Sequence, residues 1–483
     1  VVAHTDNFAN ALRAIKERVI FAKDVANDNA LIPTPQPTIL GLRRLRRARK
    51  RLTDLMTRKL TKLSPAAFAA TYKGRRLVRY LQAVESLEIE PICRRDSEIT
   101  AFVKYEKLVV KTLAGDLVPR LIQPRDYRYN VALGVYIKLA EHHIFRMIDR
   151  LFGGPTIMKG YNTRDMGRIM NENWERVAIG RGHVRAFGMD AARFDQHCSS
   201  SALEVEHAVY LHLFDNDPEL ARLLSWQRST KGRWGGDDGF IKYKKDGGRC
   251  SGDMNTGLGN CVLMCLMVYS YLTIEHHLKP GRDYSFVNNG DDAVVFLAEG
   301  CEGIMEGLFA YFLDFGFQME IEEPVVELEE VEFCQCKPVL TENGWVMVRI
   351  PELAMSKDQI CLKGVATEGD WSYHRSMLSM AGLKMYGNIP VYSAFYKKLG
   401  EGALEKHKKL DFENVGRGVR IMSRGMDVKS TVTDATRFSY YKAFGVNPLE
   451  QIQLEKDILE RGVLWSERVE ISGEREWYDV GQK

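Results

Sequence analysis

The chain is short of cysteine and proline and has no long apolar run, and each shortage excludes something. Nine cysteines in 483 residues, odd in number and thinly spread, do not make a disulfide framework and point to a reducing, cytosolic compartment. Fifteen prolines beside 40 glycines and a 45% hydrophobic content exclude a collagen-like, low-complexity or disordered chain. The longest apolar stretch, Cys261 to Ile274, is interrupted by Ser270 and Thr273 and falls short of the roughly 20 residues that span a bilayer, so no membrane-spanning segment is expected. There is also no G-x-x-x-x-G-K-[ST]. The Lys-Thr at Lys111 and the Lys-Ser at Lys429 each follow Val, which leaves a P-loop ATPase or helicase unsupported. Charge is nearly balanced, 68 Lys+Arg against 64 Asp+Glu for a net +4. The first residue is Val with no signal-peptide pattern behind it, as expected of a processed product or an expressed fragment.

What is present is unevenly distributed. Phe8, Leu12, Ile15, Val19 and Ala22 recur at helical spacing and predict one apolar stripe, either docked on the main body or presented to a partner or membrane surface. Pro33, Pro35 and Pro37 alternate and predict an extended spacer. Between Gly41 and Arg51 stand Arg43, Arg44, Arg46, Arg47, Arg49, Lys50 and Arg51 with no acid, a polyanion-seeking segment or a solvated helix. From Thr53 to Ile179 the pattern is mostly helical, broken by extended stretches at Ala101 to Val110 and Pro119 to Asn130. Val184 to Cys336 reads as a mixed α/β core. After Pro338 the chain returns to helices and loops, and beyond Gln451 acids are in slight excess. No internal repeat is apparent.

The chemistry lies in the mixed core. Phe187-Gly188-Met189-Asp190 ends a strand, and Asp195 follows as the chain turns toward a helix near His197. Tyr284 to Val287 and Ala293 to Leu297 are apolar strands joined by Asn288-Asn289-Gly290-Asp291-Asp292, a strong hairpin signal. Laid beside the first strand, this hairpin brings Asp190 and Asp291 together as two hard carboxylates of the kind that suits Mg²⁺. A Gly-Asp-Asp alone is weak evidence. A second copy at Gly236-Asp237-Asp238 lacks flanking apolar strands and reads as a solvated turn. A third element is Arg249 to Asn260, a small-residue loop containing Ser251-Gly252 that runs into the apolar helix. Thr256 and Asn260 are four apart and share a face of that helix.

Asp190-x4-Asp195, Ser251-Gly252-x3-Thr256-x3-Asn260 and Gly290-Asp291-Asp292, in this order, resemble motifs A, B and C of viral RNA-dependent RNA polymerases. The longer strings Phe194-Asp195-Gln196-His197, Ser251 to Thr256 and Asn288 to Asp292 are similar to those of replicases of positive-strand RNA plant viruses, the tombusvirus family. Phe102 to Lys107 and Pro119 to Arg125 resemble motif F, and Phe333-Cys334-Gln335-Cys336 stands where motif E belongs. The resemblance covers roughly Tyr72 to Pro338. It implies an α+β right hand with an antiparallel palm sheet: an N-terminal helix, linker and basic segment over 1–52, fingers over 53–183, palm over 184–214, a fingers insertion over 215–248, palm again over 249–338, and a helical thumb with tail over 339–483. It further implies RNA-directed RNA synthesis from NTPs, with two Mg²⁺ (Mn²⁺ can substitute) on Asp190 and Asp291 and with Asp292 supporting them. Asp195, Thr256 and Asn260 would read the ribose 2′-hydroxyl, Ser251 and Gly252 the template, and Lys104, Lys107, Arg120 and Arg125 the triphosphate. Arg43, Arg44, Arg46 and Arg47 are expected to bind RNA. The implied partners are template and nascent RNA, another viral replicase protein and host factors, at membrane-associated replication complexes in the host cytoplasm. Membrane attachment is expected through a region upstream of this chain or through a partner.

Two departures stand out. Cys301 to Cys336 holds ten acids and no Lys, Arg or His, so the general acid of motif D is unassigned and Lys337 or Lys357 are guesses. Ala192 stands where Ser is expected. Cys334-x-Cys336 lacks a second Cys or His pair and reads as a strand turn, not a zinc site, and neither His142-His143 nor His276-His277 makes H-E-x-x-H. A reverse transcriptase would carry an aromatic gate where Asp195 and Asn260 are polar. A non-catalytic RNA-binding scaffold is disfavoured by the intact Asp190, Asp291 and Asp292.

Overall fold

The computed structural model describes residues 1–24, 27–109, 117–362, 367–403, 417–461 and 477–479. Val110, Lys111 and most of the acidic tail lie outside them. At its centre is a four-stranded, wholly antiparallel sheet made of Val184–Ala191, Tyr284–Asn289, Asp292–Ala298 and Met319–Ile321. The strand order places Tyr284–Asn289 at one edge, then Asp292–Ala298, then Val184–Ala191, with Met319–Ile321 at the other edge. Alternate residues of these strands enter different cores. Phe187, Met189, Phe286 and Val295 pack toward the helices Tyr127–Leu151, Ser200–Leu213 and Thr256–Tyr269. Val184, Ala186, Val294 and Phe296 pack instead against Met166, Ile169 and Met170 of the Thr163–Arg181 helix. Burial on both faces explains the unbroken apolar string from Ala293 to Leu297. Together with the surrounding helices, the sheet makes the chain α+β.

The apolar stretch from Cys261 belongs to a longer helical unit than the sequence predicts. The helix starts at Thr256 and continues as a π-turn over Ser270–Glu275, giving 20 residues long and apolar enough by length and composition to cross a membrane. Its apolar window is 78% buried inside the protein, which makes it a core helix here.

The N-terminal stripe docks on the main body, but not as one helix. The helix Phe8–Ile15 gives way to a π-turn at Lys16–Ile20 and then to a strand, Phe21–Asp24, paired with Ala30–Pro33. Val19 and Ala22 stay buried although the backbone has left the helix, which the β-branched pair Val19-Ile20 favours. The stripe packs on Ile99, Val103, Leu121 and Trp234. Asp6 accepts hydrogen bonds from the Trp234 indole at 2.7 Å and the Val103 amide at 2.9 Å. The second Gly-Asp-Asp is the exposed turn expected, but it joins two strands that the sequence does not announce. Strands Ser229–Gly236 and Gly239–Asp246 pair up to Gly236 opposite Gly239, so Asp237-Asp238 is a true hairpin turn. Its second strand is polar and half exposed, hence invisible to a search for apolar strands, and Asp238 accepts from the Phe8 amide at 2.6 Å.

The basic run is the helix Ile39–Asp54, with Gly41, Leu45, Ala48 and Leu52 buried along one stripe. Arg43, Arg46 and Arg47 are exposed on the other side. Arg44 is not among them: it pairs with Asp314 at 2.8 Å and Glu275 at 3.5 Å and lies 4.2 Å over the Tyr311 ring. The prolines before it are extended and docked, since a side chain at Gly316 would meet the Pro35 carbonyl at 2.9 Å. Further along, the stretch expected to be extended to Asn130 becomes helical from Tyr127, where Asp126 caps the Arg128 amide. The C-terminal third has its own core. The hairpin of Cys336–Thr341 and Gly344–Arg349 packs with helices Glu368–Tyr386, Tyr392–Gly400 and Asp434–Phe444 through Val339, Val348, Tyr386, Tyr392 and Tyr440.

Candidate active site

The strand register brings the carboxylates together. Asp190 and Asp292 are direct cross-strand partners, and the closing pair Asn289–Asp292 leaves Gly290-Asp291 as a two-residue turn. Gly290 has φ +90°, the first position of a turn type that suits glycine and matches the strand twist. Asn288, which the motif reading passes over, splints this turn. Its side-chain nitrogen donates to the carbonyls of Gly290 at 2.8 Å and Asp292 at 3.0 Å, and its oxygen accepts from the Gly290 amide at 3.2 Å. Desolvation, then the charges of Asp291 and Asp292 and of Glu320 and Glu322, push Asp190 up to about 6. Asp292 is raised by burial and by Asp291. The like charges held in one cleft form a donor set for a hard divalent cation. No group of three or more His, Cys, Asp or Glu among the described residues forms a ready-made metal cage. Asp190, Asp291 and Asp292 are the carboxylates that could contribute to such a site.

Asp195 lies in a four-residue helix, Phe194–His197, entered through Arg193 at φ +49°. Asn260, in the first turns of the core helix, donates its amide nitrogen to Asp195 Oδ1 at 2.8 Å. Burial pushes Asp195 up to about 6 against the opposing effect of Asn260 and Arg249. Thr256 turns elsewhere: its hydroxyl donates to the Cys250 carbonyl at 2.8 Å and braces the loop. Ser251 donates to the Leu121 carbonyl at 2.9 Å. A side chain at Gly252 would sit 2.6 Å from Pro124 Cα, so only glycine lets this loop lie against the Leu121–Pro124 segment.

The four basic residues assigned to the triphosphate separate into two groups. Arg120 is 57% exposed and, with Lys104, flanks Glu106 at 3.4 and 2.7 Å. Arg125 does not reach the cleft. Its fully buried guanidinium pairs with Asp253 and donates to the Ser97 carbonyl and to Thr230 Oγ1. Lys107 is likewise spoken for, its ammonium donating to the Lys357 carbonyl, with burial holding it below the usual lysine range. Three cations outside the motif reading stand beside Asp195 and Asp291, each also donating to backbone carbonyls: Arg18 to Val118, Arg193 to Glu17, and Lys245 to Val19 and Gln196. Arg18, Arg193 and Lys245 line a cavity of about 120 Å³ together with Arg120, Ser251, Asp195 and Asp291. Burial and the charges of Arg193 and Arg120 lower Arg18 to about 10, and burial lowers Lys245 to about 8. Arg193 stands two residues before Asp195, a signal within the motif that the sequence reading leaves unused. Arg18, on the N-terminal π-turn, gave no local signal.

Cys334 and Gln335, both at positive φ, form a tight turn closed by reciprocal Phe333–Cys336 backbone bonds at 2.9 and 3.0 Å. The Cys334 thiol approaches Asp292 at 3.5 Å. Lys337 influences Glu322, itself a neighbour of Asp190, and Lys357 lies near Glu106.

A family model described as viral RNA dependent RNA polymerase matches residues 1–465, well beyond the Tyr72 to Pro338 span of the motif resemblance and including the first fifty residues. The RNA-directed RNA polymerase of Turnip crinkle virus is 40% identical over 459 residues, which cover 94% of this chain and 57% of that protein. Those of Cymbidium ringspot virus and Tobacco necrosis virus (strain A) are 40% and 39% identical, covering 95% and 94% of this chain and 54% and 61% of theirs. The chain thus spans about half the length of the curated relatives it matches. With its carboxylate hairpin, its Asp195–Asn260 pair and a family match over nearly all of its length, the chain belongs to the viral RNA-dependent RNA polymerases.

Proposed function

We propose that the chain is the catalytic part of a positive-strand RNA virus replicase and joins NTPs to the 3′ end of an RNA copied from a viral template. The observation that carries this reading is the opposition of Asp190 and Asp292 across the hairpin with Asp291 in its turn, beside an Asp–Asn pair and a cation-lined cavity. In this reading the central sheet is the palm and the basic, extended segments around Lys104 and Arg120 belong to the fingers. The C-terminal helical core is the thumb, tied to the fingers where Lys107 meets Lys357.

Asp190 and Asp291 would hold two Mg²⁺, with Asp292 beside them. Bound there, the pair of cations supplies the activation of an attacking 3′-hydroxyl and the charge neutralisation of departing pyrophosphate. The protein's own contribution is placement. Arg18, Arg120 and Arg193 present cations to a triphosphate, for which the guanidinium fork is well matched. Asp195, held by Asn260, accepts from the ribose 2′-hydroxyl, the group that separates NTP from dNTP. Ser251 and Gly252 carry the template-contacting loop, braced by Thr256. Template and nascent RNA are the macromolecular partners, and the exposed Arg43, Arg46 and Arg47 add general RNA affinity. The association with another replicase protein, host factors and cytoplasmic membranes belongs in this proposal to the longer replicase or to its partners.

Asp190→Ala and Asp291→Ala test the assignment. Each should abolish extension of a primed RNA template by labelled NTPs in Mg²⁺ while template binding, measured by filter retention, stays near that of the unaltered protein. Near-native turnover by either variant defeats the assignment.

A further inference from the structure

We propose that Arg249 and Glu206 are positioning residues for sugar selection, acting by fixing which end of the Asn260 amide faces Asp195. The inference rests on the reading of Asp195 and Asn260 as the ribose contact. The two ends of an Asn amide have nearly the same shape and opposite hydrogen-bonding character, so their neighbours decide the orientation. Asn260 Oδ1 accepts from Arg249 Nε at 2.9 Å, and a guanidinium offers no acceptor in return. The amide nitrogen therefore faces Asp195 and donates to its Oδ1. A flipped amide would put oxygen against the carboxylate and nitrogen against the guanidinium, two repulsive contacts in place of two good ones. With Oδ1 committed to Asn260, Oδ2 of Asp195 is the oxygen offered to a ribose hydroxyl.

Arg249 is in turn unable to drift. Its two terminal nitrogens meet the two carboxylate oxygens of Glu206, and both side chains are 0% exposed. Glu206 also accepts from the Tyr210 hydroxyl at 2.5 Å and the Asn255 amide at 3.0 Å. Gly259 completes the seat: a side chain there would collide with Glu206 at 2.3 Å and Arg249 at 2.4 Å. The Arg249 backbone amide also donates to the Asp195 carbonyl at 2.7 Å. One residue thus grips Asp195 at its backbone directly and at its carboxylate through Asn260. Such a fork-to-fork pair is specific to arginine.

The test is kcat/KM for ATP and dATP on one RNA template. Arg249→Lys keeps a cation opposite Glu206 but has no Nε–H for Asn260. It should narrow the ATP-to-dATP ratio about tenfold, chiefly by loss on ATP, as expected for one mispaired buried polar group. Combined with Asn260→Ala it should narrow the ratio no further than Asn260→Ala alone, since both act on one contact. Glu206→Gln should shift the ratio in the same direction. Asn260→Asp leaves Arg249 and Glu206 unaltered and sets a carboxylate oxygen where the amide nitrogen faces Asp195, so it keeps the orientation argument testable if the other variants fail to fold, which circular dichroism and melting would reveal. A folded Arg249→Lys or Glu206→Gln that loses both nucleotides in equal proportion overturns the proposal. So does Asn260→Asp with the ratio intact. An Asn260→Ala protein that keeps the ratio instead overturns the ribose reading on which the inference rests.

Discussion

Arg125 gives the sharpest separation between a residue that contacts substrate and one that holds the site together. Its position in a basic string beside Arg120 suggests a phosphate contact, but its guanidinium is 0% exposed and its partner Asp253, 3% exposed, sits in the Ser251-Gly252 loop 128 positions away. Replacing Arg125 with Met leaves Asp253 buried without its cation and frees Ser97 and Thr230 from their shared donor. Breaking a buried pair from one side costs about 3–5 kcal/mol, because the surviving charge has no compensation. Arg125→Met should therefore lower the melting temperature by several degrees with little change in nucleotide KM once assayed well below that temperature. Adding Asp253→Leu, which removes the stranded charge, should restore part of the loss. Arg120→Ala should behave in the opposite way. On the proposed role it would delete an exposed, charge-assisted contact to phosphate worth about 1.5–3 kcal/mol, raising nucleotide KM or lowering kcat with melting almost unmoved. An Arg125→Met protein that melts like its parent and binds nucleotide tenfold worse would refute the reasoning and return Arg125 to the triphosphate site.

Replacing Arg43, Arg46 and Arg47 together with Gln should weaken RNA binding across sequences and reduce the slope of log affinity against log salt by about 2, at roughly 0.7 per single-strand phosphate contact; an unaltered slope would assign this face to a protein or a membrane. Arg44→Gln should leave that slope alone and lower the melting temperature, because its contacts are Asp314, Glu275 and Tyr311. Burial pushes His207, packed beside the Glu206–Arg249 pair, down to about 4. Below its ordinary pKa the unfolded chain takes up a proton that the folded one refuses, so stability falls as pH drops from about 6.5 toward 4, by roughly 3 kcal/mol in all. His207→Gln should flatten that limb of the melting-temperature profile, and an unchanged profile would place the acid sensitivity elsewhere.

The parts of the site legible in the sequence are those whose chemistry and spacing fall within one short string. Gly290-Asp291-Asp292 carries its own turn geometry, and the apolar strings on either side announce buried strands, so the hairpin follows from pattern alone, while its place beside the Asp190 strand is supposed from sequence and its Asp190–Asp292 register is seen only in the structure. The same reasoning finds the solvated turn at Gly236-Asp237-Asp238 but not the strands flanking it, because a hairpin with one solvated, lysine-rich strand shows no apolar alternation. Helical periodicity likewise placed Val19 and Ala22 in the core correctly and misjudged the backbone that takes them there.

Basic residues were the hardest to read, and the reason is physical. A lysine or arginine has a long stem that is comfortable beside apolar neighbours, and whether its charge reaches solvent, substrate or a buried carboxylate depends on groups far away in sequence. Arg44 finds Asp314 across 270 positions, Arg125 finds Asp253 across 128 and Lys107 finds the Lys357 carbonyl across 250. Nothing in the neighbouring strings distinguishes these from Arg120, which stays 57% exposed at the cavity. Conversely Arg18 and Lys245 reach the cavity from a π-turn and a polar strand that show no catalytic pattern. These two segments are tied to each other and to the Asp195 helix: Lys245 donates to the carbonyls of Val19 and Gln196, and Gln196 donates to Phe21. The N-terminal turn is therefore part of the wall of the cavity beside Asp195 and Asp291, and the cations that line it are fixed by tertiary packing that short motifs do not encode.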